Sequence, residues 1–387
     1  MKIVILGNQG RSMVNFWTVL ARRMLAAGHA VLCCCPPGDG AADAALRALG
    51  ADLRHYPLDR KGLNPLRDVA SYRALLRIFR DASPDLLFSS TIKPVIYGCL
   101  AARKAGVPRI YATITGLGYA FEADSFFKKC VHRLGVVLYR AALRHAEGVF
   151  FQNHDDIAVF RESGILQPDA RVLTARGTGV DTRRFAEAPL PPAAPFVFIL
   201  VGRLLEAKGL REYAAAAAMV KRQYPQARFR VLGPEEHGPG SIAVSEVEGW
   251  HAQGVIEYLG AARDVRPHVS RAHVLVLPSW REGTPTAIME GMSMGRPAIV
   301  TNVPGCREVV RDRVNGRMIP PRDSAALAAA MRAFLERPED VPAMGRAGRE
   351  LAEREFDAEK VAARILADMR VPDTSTACDT ADKDVTS

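Results

Sequence analysis

Three short segments in the second half of the chain combine glycine, charge and a helical pattern in ways that suit an anionic ligand. The first is Glu282-Gly283-Thr284-Pro285-Thr286-Ala287-Ile288-Met289-Glu290, preceded by an apolar run over residues 273–278. Proline suits the first turn of a helix, and the free backbone N–H groups of a helix start bind anions or hydroxyls. Glu290 falls within that helix, where its carboxylate can accept two hydrogen bonds from a vicinal diol such as a ribose. Glu282 falls before it, where it can hold a sugar hydroxyl. Spacing alone describes equally a helix start with two surface glutamates.

The second segment, Val201-Gly202-Arg203-Leu204-Leu205-Glu206-Ala207-Lys208-Gly209, closes one apolar run and opens a helical pattern. It places Arg203 and Lys208 at the C-terminal edge of a sheet, where open α/β folds bind ligands. Two cations there would neutralise a diphosphate leaving group. An exposed basic turn is the plainer account, but a cation set directly after a buried strand favours function. The third segment, Tyr258-Leu259-Gly260-Ala261-Ala262-Arg263-Asp264-Val265, turns at Gly260 into a helix start. Its backbone could read the edge of a base, though alone it says little.

The elements that must position these groups alternate along the whole chain. Apolar runs at residues 2–7, 30–35, 86–90, 109–115, 148–152 and 171–175 predict strands, with helical patterns such as 64–82 and 94–105 between them. Such alternation implies βαβ units and a parallel sheet. At residues 189–195 four prolines fall within seven positions, a stretch that can join neither a helix interior nor a sheet centre and reads as a linker. The pattern then restarts, with strands at 196–202, 228–233, 255–259, 273–278 and 297–301 and helices at 210–224, 285–294 and 324–336. The expected organisation is an N-terminal Rossmann-like domain over 1–188 and a second over 196–370. The last helix of the second would pack back on the first, and a small, polar, disordered tail would occupy 371–387. Asp382-Lys383-Asp384 in that tail is a metal motif in letters only.

With 387 residues, 48% hydrophobic and 24% charged, the chain is globular and has the length of two such domains. Its seven cysteines, Cys33, Cys34, Cys35, Cys99, Cys130, Cys306 and Cys378, are odd in number and fit no metal spacing; buried reduced thiols are expected. The start Met1-Lys2-Ile3-Val4-Ile5-Leu6-Gly7 is too short for a signal peptide and reads as a strand, and no run of about 18 apolar residues exists to span a membrane. The net charge of +10 lies wholly in residues 1–190, which hold 26 Lys and Arg against 16 Asp and Glu; the remainder holds 26 of each. A basic half attracts nucleic acid, anionic lipid or a phosphorylated substrate, or merely keeps the protein soluble. No stacking-aromatic motif accompanies the charge, so nucleic acid is not expected.

In the order G-R-L-x-x-x-K-G (202–209), Y-L-G-x-x-x-D-V (258–265) and L-P-S-x-x-E-G-x-P-x-x-x-x-E (277–290), the chain resembles glycosyltransferase family 4. The likeness covers most of the C-terminal half. It implies a GT-B fold, two Rossmann-like domains facing each other across a cleft, with transfer that retains the anomeric configuration and needs neither cofactor nor metal, the UDP-sugar being a substrate. By that likeness Arg203 and Lys208 bind the donor diphosphate and Glu290 the ribose. Glu282, with the backbone of Gly283, Thr284, Pro285 and Thr286, holds the transferred sugar, and Gly260 lies in the donor site. Arg203, Lys208 and Glu282 would be the catalytic set. Other uses of the same architecture, a UDP-sugar 2-epimerase or a non-catalytic nucleotide-sugar binder, stay open, although the four charged residues argue against lost activity.

On the acceptor side the first turn, Gly7-Asn8-Gln9-Gly10-Arg11-Ser12, lets a backbone approach a ligand closely; it lacks the full G-x-G-x-x-G pattern of nicotinamide sites. Segments Asp59-Arg60-Lys61-Gly62-Leu63-Asn64-Pro65, Ser90-Thr91-Ile92-Lys93-Pro94 and Thr115-Gly116-Leu117-Gly118 begin near strand ends. Gly7, Gly10, Arg11, Lys93 and Thr115 are the candidate acceptor residues. Together these segments resemble bacterial family 4 enzymes that extend undecaprenyl-diphosphate-linked sugars, closest to those adding N-acetylgalactosamine to diphospho-undecaprenol-linked bacillosamine. The likeness implies a polyprenyl-diphosphate-linked saccharide as acceptor and a place at the inner, cytoplasmic face of the cell membrane. Many family members carry a His-Asp pair after the strand equivalent to 109–115; Thr115-Gly116-Leu117-Gly118 stands there instead, and neither His132 nor His145 is assigned that role. The basic, aromatic helical pattern from Phe126 through Lys128, Lys129, Arg133 and Tyr139 to Arg140 suits either an anionic bilayer or packing within its own domain.

Overall fold

A computed structural model describes residues 1–60, 62, 64–116, 126–238 and 240–373, the side chains of 126–130 excepted. The chain forms two compact units, residues 1–178 with 359 onward, and residues 179–358.

The first unit runs β1 (Lys2–Leu6), α1 (Gly10–Ala26), β2 (Ala30–Cys35), α2 (Gly40–Ala48), β3 (Asp52–His55), α3 (Pro65–Ala82), β4 (Leu86–Ser90), α4 (Ile92–Ala105), β5 (Arg109–Ile114), α5 (Phe126–Leu143), β6 (Gly148–Phe151), α6 (His154–Glu162) and β7 (Val172–Thr174). Its parallel sheet has the order β3-β2-β1-β4-β5-β6-β7. Strand β1 is Lys-Ile-Val-Ile-Leu, and after Lys2 every side chain is fully buried; only a strand covered on both faces tolerates that run. One apolar layer gathers Leu75, Phe79, Val95, Tyr139 and Phe160; the other gathers Met13, Trp17, Phe88 and Phe150. Polar caps start several helices: Asp39 accepts from the Ala42 N–H, Asn64 from Leu66 and Arg67, and Asn153 from Asp156.

The second unit runs β8 (Val197–Val201), a 3₁₀ turn (Glu206–Lys208), α7 (Leu210–Lys221), β9 (Arg228–Leu232), α8 (Val244–Ala252), β10 (Glu257–Tyr258), α9 (Arg266–Val269), β11 (Val274–Leu277), α10 (Thr286–Ser293), β12 (Ala298–Thr301), α11 (Cys306–Val309), β13 (Gly316–Ile319), α12 (Ser324–Glu336) and α13 (Asp340–Leu351). Its sheet, again parallel, has the order β10-β9-β8-β11-β12-β13. In both sheets the strand order reverses beside the first strand, between β1 and β4 and between β8 and β11. That reversal opens a crevice at the carboxyl ends of those strands.

The boundaries differ from those expected. The chain leaves the first unit after Thr178 rather than near residue 188. The proline run is fastened to the second unit: the Arg296 guanidinium, 1% exposed, donates to the carbonyls of Ala188, Pro189, Ser270, Ala272 and Met294. His273 Nε2 lies 3.1 Å from the Pro192 carbonyl. The chain returns at residue 359, and α14 (Ala358–Asp368) buries Val361, Ile365 and Leu366 in the Trp17 layer of the first unit. Residues 371–373, expected in the disordered tail, belong to that packing: Val371 is buried and Asp373 pairs with Arg23 at 2.5 Å. Asp382-Lys383-Asp384 lies outside the described residues, as do Lys61, Leu63, Leu117 and Gly118.

Candidate functional site

The site is assembled at the crevice of the second sheet. Strands β8, β9 and β10 end on Val201, Leu232 and Tyr258, and glycines follow closely: Gly202, Gly233 and Gly260. The Gly202 N–H donates to Leu232 and the Gly233 N–H to Gly260. A Cβ on Gly233 would stand 1.7 Å from the Gly202 carbonyl oxygen, so that position accepts no side chain. The Tyr258 hydroxyl donates to the Gly233 carbonyl at 3.1 Å. These strands therefore end in a backbone-lined shelf.

Beyond Gly202 the chain makes its 3₁₀ turn and ends it at Gly209, φ 72°, where a Cβ would meet the Pro278 carbonyl at 2.1 Å. The Trp280 N–H donates to Ala207, and its indole N–H donates to Glu212 at 2.9 Å. These contacts seat the turn against the end of β11. Lys208 thereby reaches Glu282, Nζ to Oε1 2.5 Å, and the buried Ser279 hydroxyl donates to the same oxygen at 2.6 Å. The pair is largely out of water, Lys208 being 20% and Glu282 10% exposed. Thr301 donates to the Ser279 carbonyl, Glu282 N–H donates to Pro304, and Gly305, φ 81°, leaves room for nothing beside the Gly283 carbonyl. The loop before α10 is thus fixed from the strands on both sides. Glu282 keeps its second oxygen without a partner among the described residues.

Helix α10 begins at Thr286. Pro285 is its N-cap rather than its first helical residue, and no side chain caps it. The Thr284 hydroxyl is buried and lacks a partner among the described residues. Such orphans are few in native proteins, and one facing a helix start is a place for a ligand oxygen. Glu290 lies in the next turn with no hydrogen-bond partner among the described residues. Burial lifts its carboxyl to about 7; Arg184 draws it down, and Asp264 pushes it further up. Asp264 is itself held at about 2 by the guanidinium of Arg266.

Lys208, Glu282, Gly283, Thr284, Pro285 and Thr286 therefore come together around one crevice, and Gly260 lies on its shelf. Arg203 leaves β8 beside them but pairs with Glu236 at 2.8 Å, half exposed. Such a pair is worth little, so the guanidinium can be drawn to a stronger anion. The residues that sequence reasoning missed are Gly233, Ser279, Trp280, Thr301 and Gly305. Gly233 had a signal, since it repeats the strand-then-glycine pattern of Gly202, and Ser279 stands in the 277–290 motif three residues before the Glu282 it bonds; Trp280, Thr301 and Gly305 act through pairings far apart in sequence.

The first unit gives its candidates more structural work. Gly7 is buried, accepts the Tyr56 hydroxyl at 2.7 Å and faces Met13, whose sulfur a Cβ would overlap. Gly10 lets α1 come close to α2, since a Cβ there would stand 3.0 Å from the Ala42 methyl. Lys93 is committed to Asp68 at 2.6 Å and to the Gly62 carbonyl at 2.7 Å, which fastens the loop around Asp59 to α3 and α4. Arg11 is exposed at the start of α1, and Thr115 is half-buried after β5. At the crevice of this sheet Thr91 holds φ 73°, and its buried hydroxyl lacks a partner among the described residues. A β-branched residue rarely tolerates that conformation, and such strain gathers at functional sites.

Comparison with known proteins agrees with this fold. A diacetylbacillosaminyl-diphospho-undecaprenol α-1,3-N-acetylgalactosaminyltransferase of Campylobacter jejuni is 24% identical over 75% of this chain and 78% of its own. A UDP-Gal:α-D-GlcNAc-diphosphoundecaprenol α-1,3-galactosyltransferase of Escherichia coli is 26% identical over 68% and 69%. Among solved structures, Anabaena HepE in complex with UDP-glucose superposes with a TM-score of 0.78 at 18% identity, covering 96% of this chain and all of that one. Sucrose-phosphate synthase of Thermosynechococcus elongatus gives 0.78, also at 18%, over 96% and 98%. Two family models divide the chain between them, the glycosyl transferase 4-like domain over residues 13–177 and glycosyl transferases group 1 over residues 195–337. With these two domains in that order and the fold of its structural neighbours, the chain belongs to the glycosyltransferases of GT-B fold.

Proposed function

We propose that the enzyme transfers a hexose or N-acetylhexosamine from a UDP-sugar to a polyprenyl-diphosphate-linked saccharide, with retention at the anomeric carbon. The observation that carries the donor half of this reading is the fixed Lys208–Glu282–Ser279 group beside the uncapped start of α10, one turn before the desolvated Glu290. Glu290 accepts the ribose diol. The α10 N–H groups and the Thr284 hydroxyl bind diphosphate or sugar oxygens. Lys208, joined by Arg203 once it leaves Glu236, stabilises the charge that grows on UDP as the bond between C1 and the phosphate oxygen breaks. The acceptor hydroxyl forms the new bond to C1 and gives up its proton to the departing phosphate oxygen, while Glu282 orients the transferred sugar. Asp264 and Arg266 fix each other beside the nucleoside end.

The acceptor half rests on what the Campylobacter and Escherichia relatives are named for, together with the basic first half of the chain. Such an acceptor places the enzyme at the cytoplasmic membrane surface. Incubation with a panel of UDP-sugars and a diphospho-undecaprenol-linked saccharide, read by mass, tests both halves. One sugar added to the lipid-linked saccharide, with UDP released, is the expected result. Epimerised UDP-sugar, or UDP-sugar bound but never turned over, would replace the reading with an epimerase or a binding protein.

A further inference from the structure

The first unit holds a second cluster of chemistry-bearing side chains that the glycosyl-transfer site does not use. Cys35 ends β2, His55 ends β3, and Asp43 lies in the first turn of α2 above them. Their Sγ, imidazole nitrogen and carboxylate oxygen all lie within 4.8 Å of one another. Strand pairing sets Cys35 directly opposite His55, and Gly10 has no side chain to fill the space over Cys35, whose sulfur would lie 3.8 Å from a Cβ there.

The hydrogen bonds leave this cluster incomplete. His55 Nδ1 lies 3.1 Å from the Cys35 carbonyl oxygen, which can only accept, so Nδ1 carries the proton. Nε2 then turns its lone pair toward Asp43 Oδ2 at 3.0 Å. Two acceptors at that distance need a cation between them, either a proton on the ring or a metal ion. The other carboxylate oxygen, Asp43 Oδ1, is buried and has no partner among the described residues, and the Cys35 thiol is fully buried beside it. An imidazolium–carboxylate pair would satisfy Oδ2 and leave Oδ1 and the sulfur unanswered. One ion would engage the sulfur, the ring nitrogen and the carboxylate together. The Nδ1–carbonyl bond is also the orienting contact that metal-bound histidines regularly make.

We propose that Cys35, Asp43 and His55 form a binding site for a single zinc ion, clamping β2, β3 and α2 together and keeping its fourth position for water or an exogenous ligand. The donor set decides the metal: thiolate, imidazole and one carboxylate suit Zn²⁺, whereas Mg²⁺ and Ca²⁺ want oxygens alone. At ordinary zinc–ligand lengths the three donor atoms would draw in to roughly 3.5 Å from one another. No sequence motif announces the site, because its members are 8 and 12 residues apart on three different elements.

The test uses the full chain, kept reduced, stripped with a chelator and titrated with Zn²⁺ against a chromophoric competitor, then with Co²⁺. The expected result is one equivalent of Zn²⁺. The Co²⁺ form should show a thiolate-to-metal charge-transfer band and the visible bands of a four-coordinate centre. Cys35→Ser should abolish the charge-transfer band. His55→Gln and Asp43→Asn should each weaken Zn²⁺ binding by at least about 100-fold, the upper end of what loss of a mere supporting contact costs. Asp43→Asn is nearly isosteric and carries the test if Cys35→Ser does not fold. Absence of tight Zn²⁺ binding by the wild type, which would leave an imidazolium–carboxylate pair only, overturns the proposal. So does binding that survives all three substitutions, or a charge-transfer band that survives Cys35→Ser.

Discussion

At the scale of single residues, the donor site is a set of charges answered only in part. Lys208 and Glu282 neutralise each other, so removing either alone leaves a nearly buried charge unpaired, an error that costs about 3–5 kcal/mol in buried pairs. Lys208→Ala should therefore lower both the melting temperature and the transfer rate, the rate by on the order of 100-fold, as for one lost oxyanion donor. Lys208→Ala combined with Glu282→Gln should recover much of the stability and none of the rate. Recovery of both, in thermal melts and steady-state kinetics, would make the pair a structural contact. Glu290 predicts opposite pH trends for stability and for binding. Its carboxyl keeps its proton to about 7 in the folded chain and loses it near 4.3 when unfolded. The folded state thus binds the extra proton between those values. The stabilisation is complete below about 4 and is lost as pH rises through about 7. Glu290→Gln should remove that slope, gaining on the order of 3–4 kcal/mol relative to wild type by pH 8 in denaturant melts. UDP affinity should run the other way in wild type, rising toward pH 8 as the ionised carboxylate becomes available to the ribose, and should be weak and flat in Glu290→Gln. Parallel pH trends for stability and UDP affinity would remove Glu290 from the ribose site.

The elements matter through how closely their backbones approach. Gly209 must hold φ 72° where an added Cβ would stand 2.1 Å from the Pro278 carbonyl oxygen, and that approach sets Lys208 against Glu282. Gly209→Ala should cost at least about 1–2 kcal/mol from the left-handed backbone alone, with a further loss from the clash, and should slow transfer by moving Lys208. Gly249, within α8 and with open space where its Cβ would be, is the contrast: Gly249→Ala should stabilise by roughly 0.5–1 kcal/mol and leave transfer unchanged. Equal effects on rate from both substitutions would detach the turn from catalysis. The same distinction explains what the sequence could disclose. Buried central strands such as β1, β8 and β11 are unbroken apolar runs and were legible. The edge strands β3, Asp-Leu-Arg-His, and β13, Gly-Arg-Met-Ile, were not, because a half-solvated strand carries polar residues and loses the signal. The break before α14 was not legible either: it falls at Asp357, whose extended ψ of 128° lets the chain pair beside Val180. Lys208, Glu282 and Glu290 could be named from spacing and resemblance. The ion pair of Lys208 with Glu282, and those of Arg203 with Glu236 and Lys93 with Asp68, could not, because each depends on which loops the sheet order brings together.

For the whole molecule the charge is divided less sharply by unit than by position in the chain. The first unit, counting its returning C-terminal segment, holds 28 Lys and Arg against 20 Asp and Glu; the second holds 24 against 22. The returning segment is acidic, so it offsets part of the excess while its apolar face fills the Trp17 layer. No helix among the described residues is long and apolar enough to cross a membrane. Helix α5 forms as its periodicity implied and leaves Leu134 and Val137 59% and 58% exposed, with Arg133 and Arg140 also exposed; Lys128 and Lys129 precede them in sequence. Each basic side chain near an anionic surface contributes about 1 kcal/mol, and the attraction fades as salt shortens its range. The chain should therefore float with anionic vesicles at low salt and dissociate at high salt. Lys128→Glu with Lys129→Glu should weaken flotation by at least tenfold in affinity, about 1.4 kcal/mol, while UDP binding stays unchanged. Leu134→Ser with Val137→Ser should weaken it further at high salt, where only apolar insertion remains. Wild type that stays in solution beside anionic vesicles at low salt would point to a soluble acceptor, and the basic unit would then be read as recognising the phosphates of that acceptor rather than the bilayer around it.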